Sequence, residues 1–264
     1  MAKKRLDILL VERRLVESRS LAQRLVMAGQ VRVNGEVELK PAVGILDSAI
    51  LEVFLGPRYV SRGGEKLAAA LEEFKIQVSG LICTDVGAST GGFTDCMLQN
   101  GADRVYAIDV GKGILHWKLR QDRRVIILEE TNARNLQVLP EPVDLVVIDA
   151  SFISLKILVP VVRNWLSTFG QIIALVKPQF EAGRNEVSRG KGVVRDPSIH
   201  KEVLLDVLQF SVDQGFQING LIRSPLIGPK GNLEFLLWLA TKECMHPSYH
   251  REDFAKLIDS VVES

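Results

Sequence analysis

Cysteine is scarce in this 264-residue chain. Its three cysteines, Cys83, Cys96 and Cys244, form no CxxC pair, which argues against a disulfide scaffold and a thiolate zinc site. Long apolar runs are missing too, since no stretch approaches the roughly 18 uninterrupted apolar residues that span a bilayer. The basic start Met1-Ala2-Lys3-Lys4-Arg5 is followed by Asp7, Glu12, Arg13 and Arg14 rather than by a signal-peptide core. A cytoplasmic protein is the expectation. Internal repeats and low-complexity tracts are absent. With 47% apolar and 25% charged residues, the composition is that of a globular chain and excludes disordered, collagen-like and coiled-coil classes.

Net charge is also low, at +1, but it is unevenly spread. Residues 1–64 carry eleven Lys and Arg against seven Asp and Glu, whereas residues 65–264 carry twenty-two against twenty-five. A basic segment joined to a near-neutral one suggests a polyanion-binding appendage, with chance in a short window as the alternative. The first sixty residues show two short helical patterns, Leu6, Leu9 and Leu10, then Leu21, Leu25 and Val26. Ser18 stands as an N-cap and Gly29 as a helix stop, and Asn34-Gly35 after Val31-Arg32-Val33 signals a tight hairpin. Residues 59–64, flanked by Gly56-Pro57 and Gly63-Gly64, look like a linker between domains 1–58 and 65–264.

Beyond residue 65, helical patterns alternate with short, β-branched, nearly continuous apolar runs. These runs are Leu81–Val86, Val105–Asp109, Val125–Leu128, Val143–Ile148 and Ile172–Val176, with helices expected over Ile153–Leu166 and Lys201–Val212. Runs of this kind suit strands buried on both faces, so the class is α/β, a doubly wound parallel sheet. Phe216–Ile222 and Leu233–Leu239 would complete seven strands, and the amphipathic tail Asp253–Val262 is expected to dock on the core.

Asp85-Val86-Gly87-Ala88-Ser89-Thr90-Gly91-Gly92-Phe93-Thr94 carries a strand through a glycine turn into a helix. The spacing is G-x-x-x-G-G, with Ser89 in place of the glycine that lets a pyrophosphate approach the backbone. Asp109, ending the next strand, is where a carboxylate accepts both hydroxyls of a ribose. A ribose ligand without pyrophosphate points to S-adenosylmethionine; a purely structural glycine turn is the alternative. The fourth strand ends in Asp149-Ala150-Ser151-Phe152, which lacks the Asn/Asp-Pro-Pro-aromatic motif of amine methylation, and Cys83 and Cys96 look like core residues rather than nucleophiles. Charges remain at the strand ends: Lys66, Asp149, Lys177 and Glu234. A lysine at the mouth of the apolar strand Ile172–Val176 is partly desolvated, which favours the neutral amine and suits a base toward a hydroxyl.

In order and strand position, Lys66, Asp149, Lys177 and Glu234 resemble the Lys-Asp-Lys-Glu tetrad of FtsJ-like ribose 2′-O-methyltransferases. The phrases Tyr59–Leu67, Asp85–Asp95, Asp149–Ser154, Val176–Glu181 and Gly231–Glu234 are similar to the TlyA family, whose members are often labelled hemolysins and methylate cytidines of ribosomal RNA. The resemblance implies a Rossmann-like seven-stranded methyltransferase sheet with a small N-terminal α+β RNA-binding domain. It implies Lys66, Asp149, Lys177 and Glu234 as the catalytic set, with Lys177 as base, and no metal requirement. Its S-adenosylmethionine site would comprise Asp85, Gly87, Ala88, Ser89, Thr90, Gly91, Gly92, Phe93, Asp109 and Asn132. Arg5-Leu6-Asp7, Ser18-Arg19-x-x-Ala22 and Gly29-x-Val31-x-Val33-Asn34-Gly35 look like the αL-type RNA-binding domain. That module would present Arg5, Arg19, Arg24, Arg32, Asn34 and Lys40 to RNA phosphates and shape. Two departures stand out. Arg14 replaces a helix-ending glycine, where a left-handed residue is strained by roughly 1 kcal/mol. Pro57-Arg58-Tyr59-Val60 lines up with an Arg-x-Trp-Val tetrapeptide of some relatives.

Other features are weaker. His246 and His250 lie near Cys244, but Pro247 breaks the helix a metal site would need. His116 and His200 are expected at the surface. Residues 178–197, with Gly183, Gly190, Gly192, Arg184, Arg189, Lys191 and Arg195, are either a solvated loop or a lid over RNA. A cytolysin and an RNA-binding protein without catalysis are the rival functions; the first lacks a spanning or strongly basic amphipathic segment, the second conflicts with an intact tetrad.

Overall fold

The computed structural model describes residues 3–54, 56–183, 192–228, 230–241 and 247–263. The chain divides into two compact units, residues 1–58 and 59–264. Segments 184–191 and 242–246 lie outside the described residues, and with them the middle of the possible lid, Cys244 and His246.

In the first unit, α1 (Leu6–Glu12) and α2 (Arg19–Met27) bury Leu6, Leu10, Ala22, Leu25 and Val26 against Val16 and Val31. Ser18 caps α2 by accepting the Leu21 N–H at 3.2 Å, which satisfies one of the free amides of the first turn. Strands β2 (Val31–Val33) and β3 (Glu36–Val37) pair across Asn34 and Gly35, whose φ values of 51° and 87° match a turn needing two left-handed residues. β5 (Leu51–Val53) joins the other side of β2. A separate ribbon pairs β1 (Lys3–Arg5) with β4 (Gly44–Leu46). Arg14 does adopt φ 58°.

The second unit is built on a seven-stranded sheet. Its strands are β6 (Ile82–Val86), β7 (Arg104–Ile108), β8 (Val125–Leu128), β9 (Val143–Ile148), β10 (Leu166–Val176), β11 (Gln217–Arg223) and β12 (Phe235–Ala240), in the order β11-β12-β10-β9-β6-β7-β8. From β8 to β10 neighbouring strands are parallel, while β12 lies antiparallel between β10 and β11. The sheet is therefore mixed at one edge rather than wholly parallel. Alternate residues of β9 serve opposite faces: Val146 and Ile148 enter one core cluster, Leu145 and Val147 the other. That two-sided burial is why the run carries no polar alternation.

Helices α3 (Gly63–Glu73) and α4 (Gly92–Gln99) cover one face; α6 (Leu155–Arg163), α8 (Pro197–Asp213) and α9 (Phe254–Val262) cover the other. Short helices α5 (Trp117–Arg120) and α7 (Pro178–Glu181) follow β7 and β10. α6 stops at Arg163, with Asn164 as its C-cap; buried Trp165 leads into β10, where polar Ser167 and Thr168 interrupt the apolar pattern. Residues 59–64 do not form a free linker: Tyr59 is buried, and a Cβ on Gly64 would lie 2.3 Å from its ring. His200 is not at the surface either. It sits on the inner face of α8 with Val203, Leu204 and Val207, its Nε2 3.0 Å from the Val194 carbonyl, and burial lowers its pKa. His116 is half-buried and caps α5.

Candidate active site

β6 ends in a turn whose glycines answer to crowding and handedness. Gly87 has φ 86°, and a Cβ there would stand 2.8 Å from the Asp149 carbonyl oxygen, so the loops after β6 and β9 touch only because a side chain is missing. Gly91 has φ 96°, and a Cβ on it would meet Leu119 at 2.1 Å. Ser89, in the position of the absent glycine, adopts φ 49°. Its amide donates to Asp109 Oδ2 at 2.8 Å, and Gly111 donates to Oδ1 at 2.7 Å. The two backbone donors fix the half-buried Asp109 carboxylate and leave each oxygen a lone pair for an incoming hydroxyl.

Asp85 is buried and accepts from the Thr94 amide at 2.9 Å and hydroxyl at 2.6 Å, both on Oδ2, which staples β6 to α4. Its Oδ1 has no hydrogen-bond partner among the described residues. Burial pushes its pKa up to about 7, reinforced by the charges of Asp149 and Asp109 and opposed by the Thr94 donors. An acid whose pKa rises on folding lends stability that is whole below its unfolded value near 4 and lost as pH climbs through about 7. Asp85→Asn should therefore gain on the wild type in urea-unfolding stability as pH rises from 5 to 8. A constant difference across that range would contradict the assignment.

The four strand-end charges meet as two ion pairs. Lys66 Nζ, from the first turn of α3, lies 2.5 Å from Glu234 Oε2, just before β12. Lys177 Nζ, just after β10, lies 2.6 Å from Asp149 Oδ1 and donates to the Ala150 carbonyl and the Ser151 hydroxyl, each at 3.1 Å. Lys66, Lys177 and Glu234 are buried; Asp149 is half-buried. All four line one cavity of about 600 Å³. Two more hollows adjoin it, and Gly87, Ser89 and Asp149 line all three. The first hollow is also lined by Asp85, Ala88, Thr90, Gly92 and Phe93, the second by Asp109 and Asn132. Phe93 is itself almost wholly in the core, and the Asn132 side chain caps a helical turn by accepting from Arg134 N at 3.2 Å.

In the first unit, Asp7 is fully buried and gathers the polar residues around it. Arg5 donates twice (3.0 and 2.9 Å), Arg19 Nε at 2.9 Å and Gln23 at 2.8 Å. These donors, Arg5 foremost, hold its carboxyl well below the usual range. The Arg5 and Arg19 side chains remain about half exposed. Arg24, Arg32, Asn34 and Lys40 are exposed. Arg32 rests on the Phe54 ring at 4.9 Å, and Asn34 accepts the Ile50 amide at 2.8 Å.

A glycine turn, a fixed strand-end carboxylate and two Lys–acid pairs around one cleft have a counterpart among known proteins. The profile described as FtsJ-like methyltransferase matches residues 59–241. The chain belongs to the FtsJ-like methyltransferase family. Residues 4–45 of this methyltransferase match the S4 domain. It is 46% identical over 242 residues to the 16S/23S rRNA (cytidine-2′-O)-methyltransferase TlyA of Mycobacterium tuberculosis, covering 90% of each chain. It is 50% identical over 244 residues, 90% of this chain and 85% of the other, to YqxC of Bacillus subtilis, named as a candidate rRNA methyltransferase. Among solved structures, a candidate hemolysin from Streptococcus thermophilus shares 45% identity, with a TM-score of 0.70 over 98% of this chain and 96% of the other.

Several residues of the methyltransferase cleft are legible in the sequence only as members of the phrases Asp149–Ser154, Val176–Glu181 and Gly231–Glu234, with no role of their own. Phe152 is 90% exposed, adopts φ 65°, and its ring lies 5.0 Å from that of Phe180. A bulky residue in the left-handed region is a genuine outlier. Glu181 accepts the Ser154 hydroxyl at 2.6 Å and the Leu155 amide at 2.8 Å, tying α7 to the start of α6; burial raises its pKa. Buried Asn232 accepts from Val194 N at 2.9 Å and donates to the Gly192 carbonyl at 3.0 Å. Among the described residues no group of three or more His, Cys, Asp and Glu is placed to hold a metal ion.

Proposed function

We propose that this methyltransferase transfers a methyl group from S-adenosylmethionine to the ribose 2′-hydroxyl of a cytidine in ribosomal RNA. The observation that carries the reading is the convergence of Lys66, Asp149, Lys177 and Glu234 on a cavity that shares Gly87 and Ser89 with the hollow holding Asp109. The residues present fit the cofactor. Asp109 offers two aligned acceptors for ribose hydroxyls, Asn132 shares its hollow, and Asp85 Oδ1, buried without a partner among the described residues, suits an ammonium donor. Gly87, Ala88, Ser89, Thr90, Gly92 and Phe93 form the walls between, while Gly91 lines none of the three hollows and turns the chain against Leu115 and Leu119.

When bound, S-adenosylmethionine supplies an electrophilic methyl group on a sulfonium centre. Lys177 receives the proton that the hydroxyl loses. Its ammonium spends three N–H bonds on Asp149, Ala150 and Ser151; the neutral amine keeps two of them and turns its lone pair to the hydroxyl. Asp149, the most exposed member of the set, orients Lys177. The Lys66–Glu234 pair lines the same cavity and positions the ribose. Alignment of oxygen, methyl and sulfur in a cleft of fixed residues contributes the rest of the rate. Arg5, Arg19, Arg24, Arg32, Asn34 and Lys40 of the S4 domain hold RNA phosphates, and an enzyme acting on ribosomal RNA works in the cytoplasm.

Asp109→Ala is expected to weaken S-adenosylmethionine binding by about 1.5–3 kcal/mol, through loss of charge-assisted hydrogen bonds. Unchanged calorimetric affinity would remove Asp109 from the cofactor site. The whole reading is tested by incubating the enzyme with labelled S-adenosylmethionine and unmethylated ribosomal subunits, beside an erythrocyte-lysis assay. Label in RNA without lysis supports it; lysis without label supports a hemolysin. Among the described residues no helix is long and apolar enough to cross a membrane.

A further inference from the structure

Gln179 stands two residues beyond Lys177 and lines the cavity that holds all four tetrad residues. Its side-chain carbonyl oxygen is buried and has no hydrogen-bond partner among the described residues. A buried acceptor left unpaired is destabilising. Neither packing nor the proton transfer above uses this amide. Its neighbour Phe180 lies below Lys177 Nζ, 5.8 Å from the ring centre, and beside Phe152, so the amide is next to an aromatic wall.

We propose that Gln179 reads the base of the methylated nucleotide and selects cytidine over uridine. The inference rests on the reading of the protein as a ribose 2′-O-methyltransferase of cytidine. An amide presents one acceptor and one donor side by side. The pairing edge of cytosine presents the complement, an exocyclic N–H donor beside the N3 acceptor. Uracil carries a carbonyl and an N3–H at the same places, so the carbonyl oxygen of Gln179 in the cytosine-reading orientation would face another acceptor. Rotating the amide by a half-turn would suit uracil; the atom without a partner among the described residues is the carbonyl oxygen, which calls for a donor such as the exocyclic N–H of cytosine. The reach is also right. Cα atoms two residues apart are at most about 7 Å apart, and a cytidine whose 2′-oxygen is at Lys177 carries its pairing edge several ångströms away.

The test compares wild type, Gln179→Met and Gln179→Leu on ribosomal subunits carrying either cytidine or uridine at the mapped target. Wild type should prefer cytidine by on the order of 10- to 100-fold in kcat/KM. Both variants should lose most of that preference and slow on cytidine, with S-adenosylmethionine affinity and thermal unfolding close to wild type. Methionine fills nearly the volume of glutamine, so it serves if leucine disturbs folding. Variants that keep the wild-type preference, or a wild type with none, overturn the inference and leave the methyltransferase reading standing. A wild type that methylates neither subunit overturns both.

Discussion

Replacing Lys177 by alanine is expected to lower methyl transfer by roughly 10²–10⁴-fold while S-adenosylmethionine and RNA still bind near wild-type affinity. A ribose hydroxyl is a very weak acid, so the loss of its base falls on kcat. RNA affinity rests on many phosphate contacts, of which this side chain would be one at most. If Lys177 only anchored the RNA backbone, Lys177→Ala would keep its turnover at saturating RNA and show a raised KM. Lys177→Arg separates base from electrostatic holder. Arginine retains the positive charge and can still pair with Asp149, but it does not become neutral at physiological pH. The arginine variant should be nearly as slow as the alanine variant; substantial activity would leave Lys177 as a holder of charge alone.

The second large effect is on stability. Glu234→Ala should cost about 3–5 kcal/mol, because Lys66 would be left charged and buried at 8% exposure without its partner at 2.5 Å. The double change Lys66→Met with Glu234→Leu should recover most of that loss, since it removes both charges and keeps apolar volume. Recovery has one local obstacle, because Glu234 Oε1 already lies 2.5 Å from where a Cβ on Gly228 would be. Urea unfolding of the three proteins at neutral pH measures the difference. The double variant should be folded and inactive. Equal destabilisation of single and double variants would show that packing at Gly228, not the ion pair, holds this corner of the site.

The outline of the fold was legible because its core strands are buried on both faces and therefore read as apolar runs. β7, β8 and β9 fall within a residue of the runs that announced them. β10 begins six residues before its apolar run, because its first residues are partly exposed and carry Ser167 and Thr168, and its pairing with β9 shifts register between Leu166 and Gln171. The antiparallel placement of β12 is a matter of connection and leaves no mark on composition. The glycine turn was legible from the spacing of Gly87, Gly91 and Gly92 and from Asp109 beyond it. The division of the tetrad into Lys66–Glu234 and Lys177–Asp149 was not, since chain order says nothing about which charges meet across strand ends. Phe152 and Gln179 stand in the quoted phrases, but their roles are conformational and leave no sequence signal: a positive φ in one and, among the described residues, a buried oxygen without a partner in the other. His200 could have been placed correctly, because Val203, Leu204 and Val207 continue its helical stripe. Buried Asp7 was recognised only as part of a motif, although it organises both Arg5 and Arg19.

The central claim is that the methyl group arrives on the 2′-oxygen of a ribosomal-RNA cytidine. The most direct measurement is nucleoside mass spectrometry of subunit RNA before and after treatment with wild-type enzyme and S-adenosylmethionine, with Lys177→Ala as control. The account predicts new 2′-O-methylcytidine with wild type and none with the variant. A methyl group on a base, or on no RNA nucleoside at all, would contradict it.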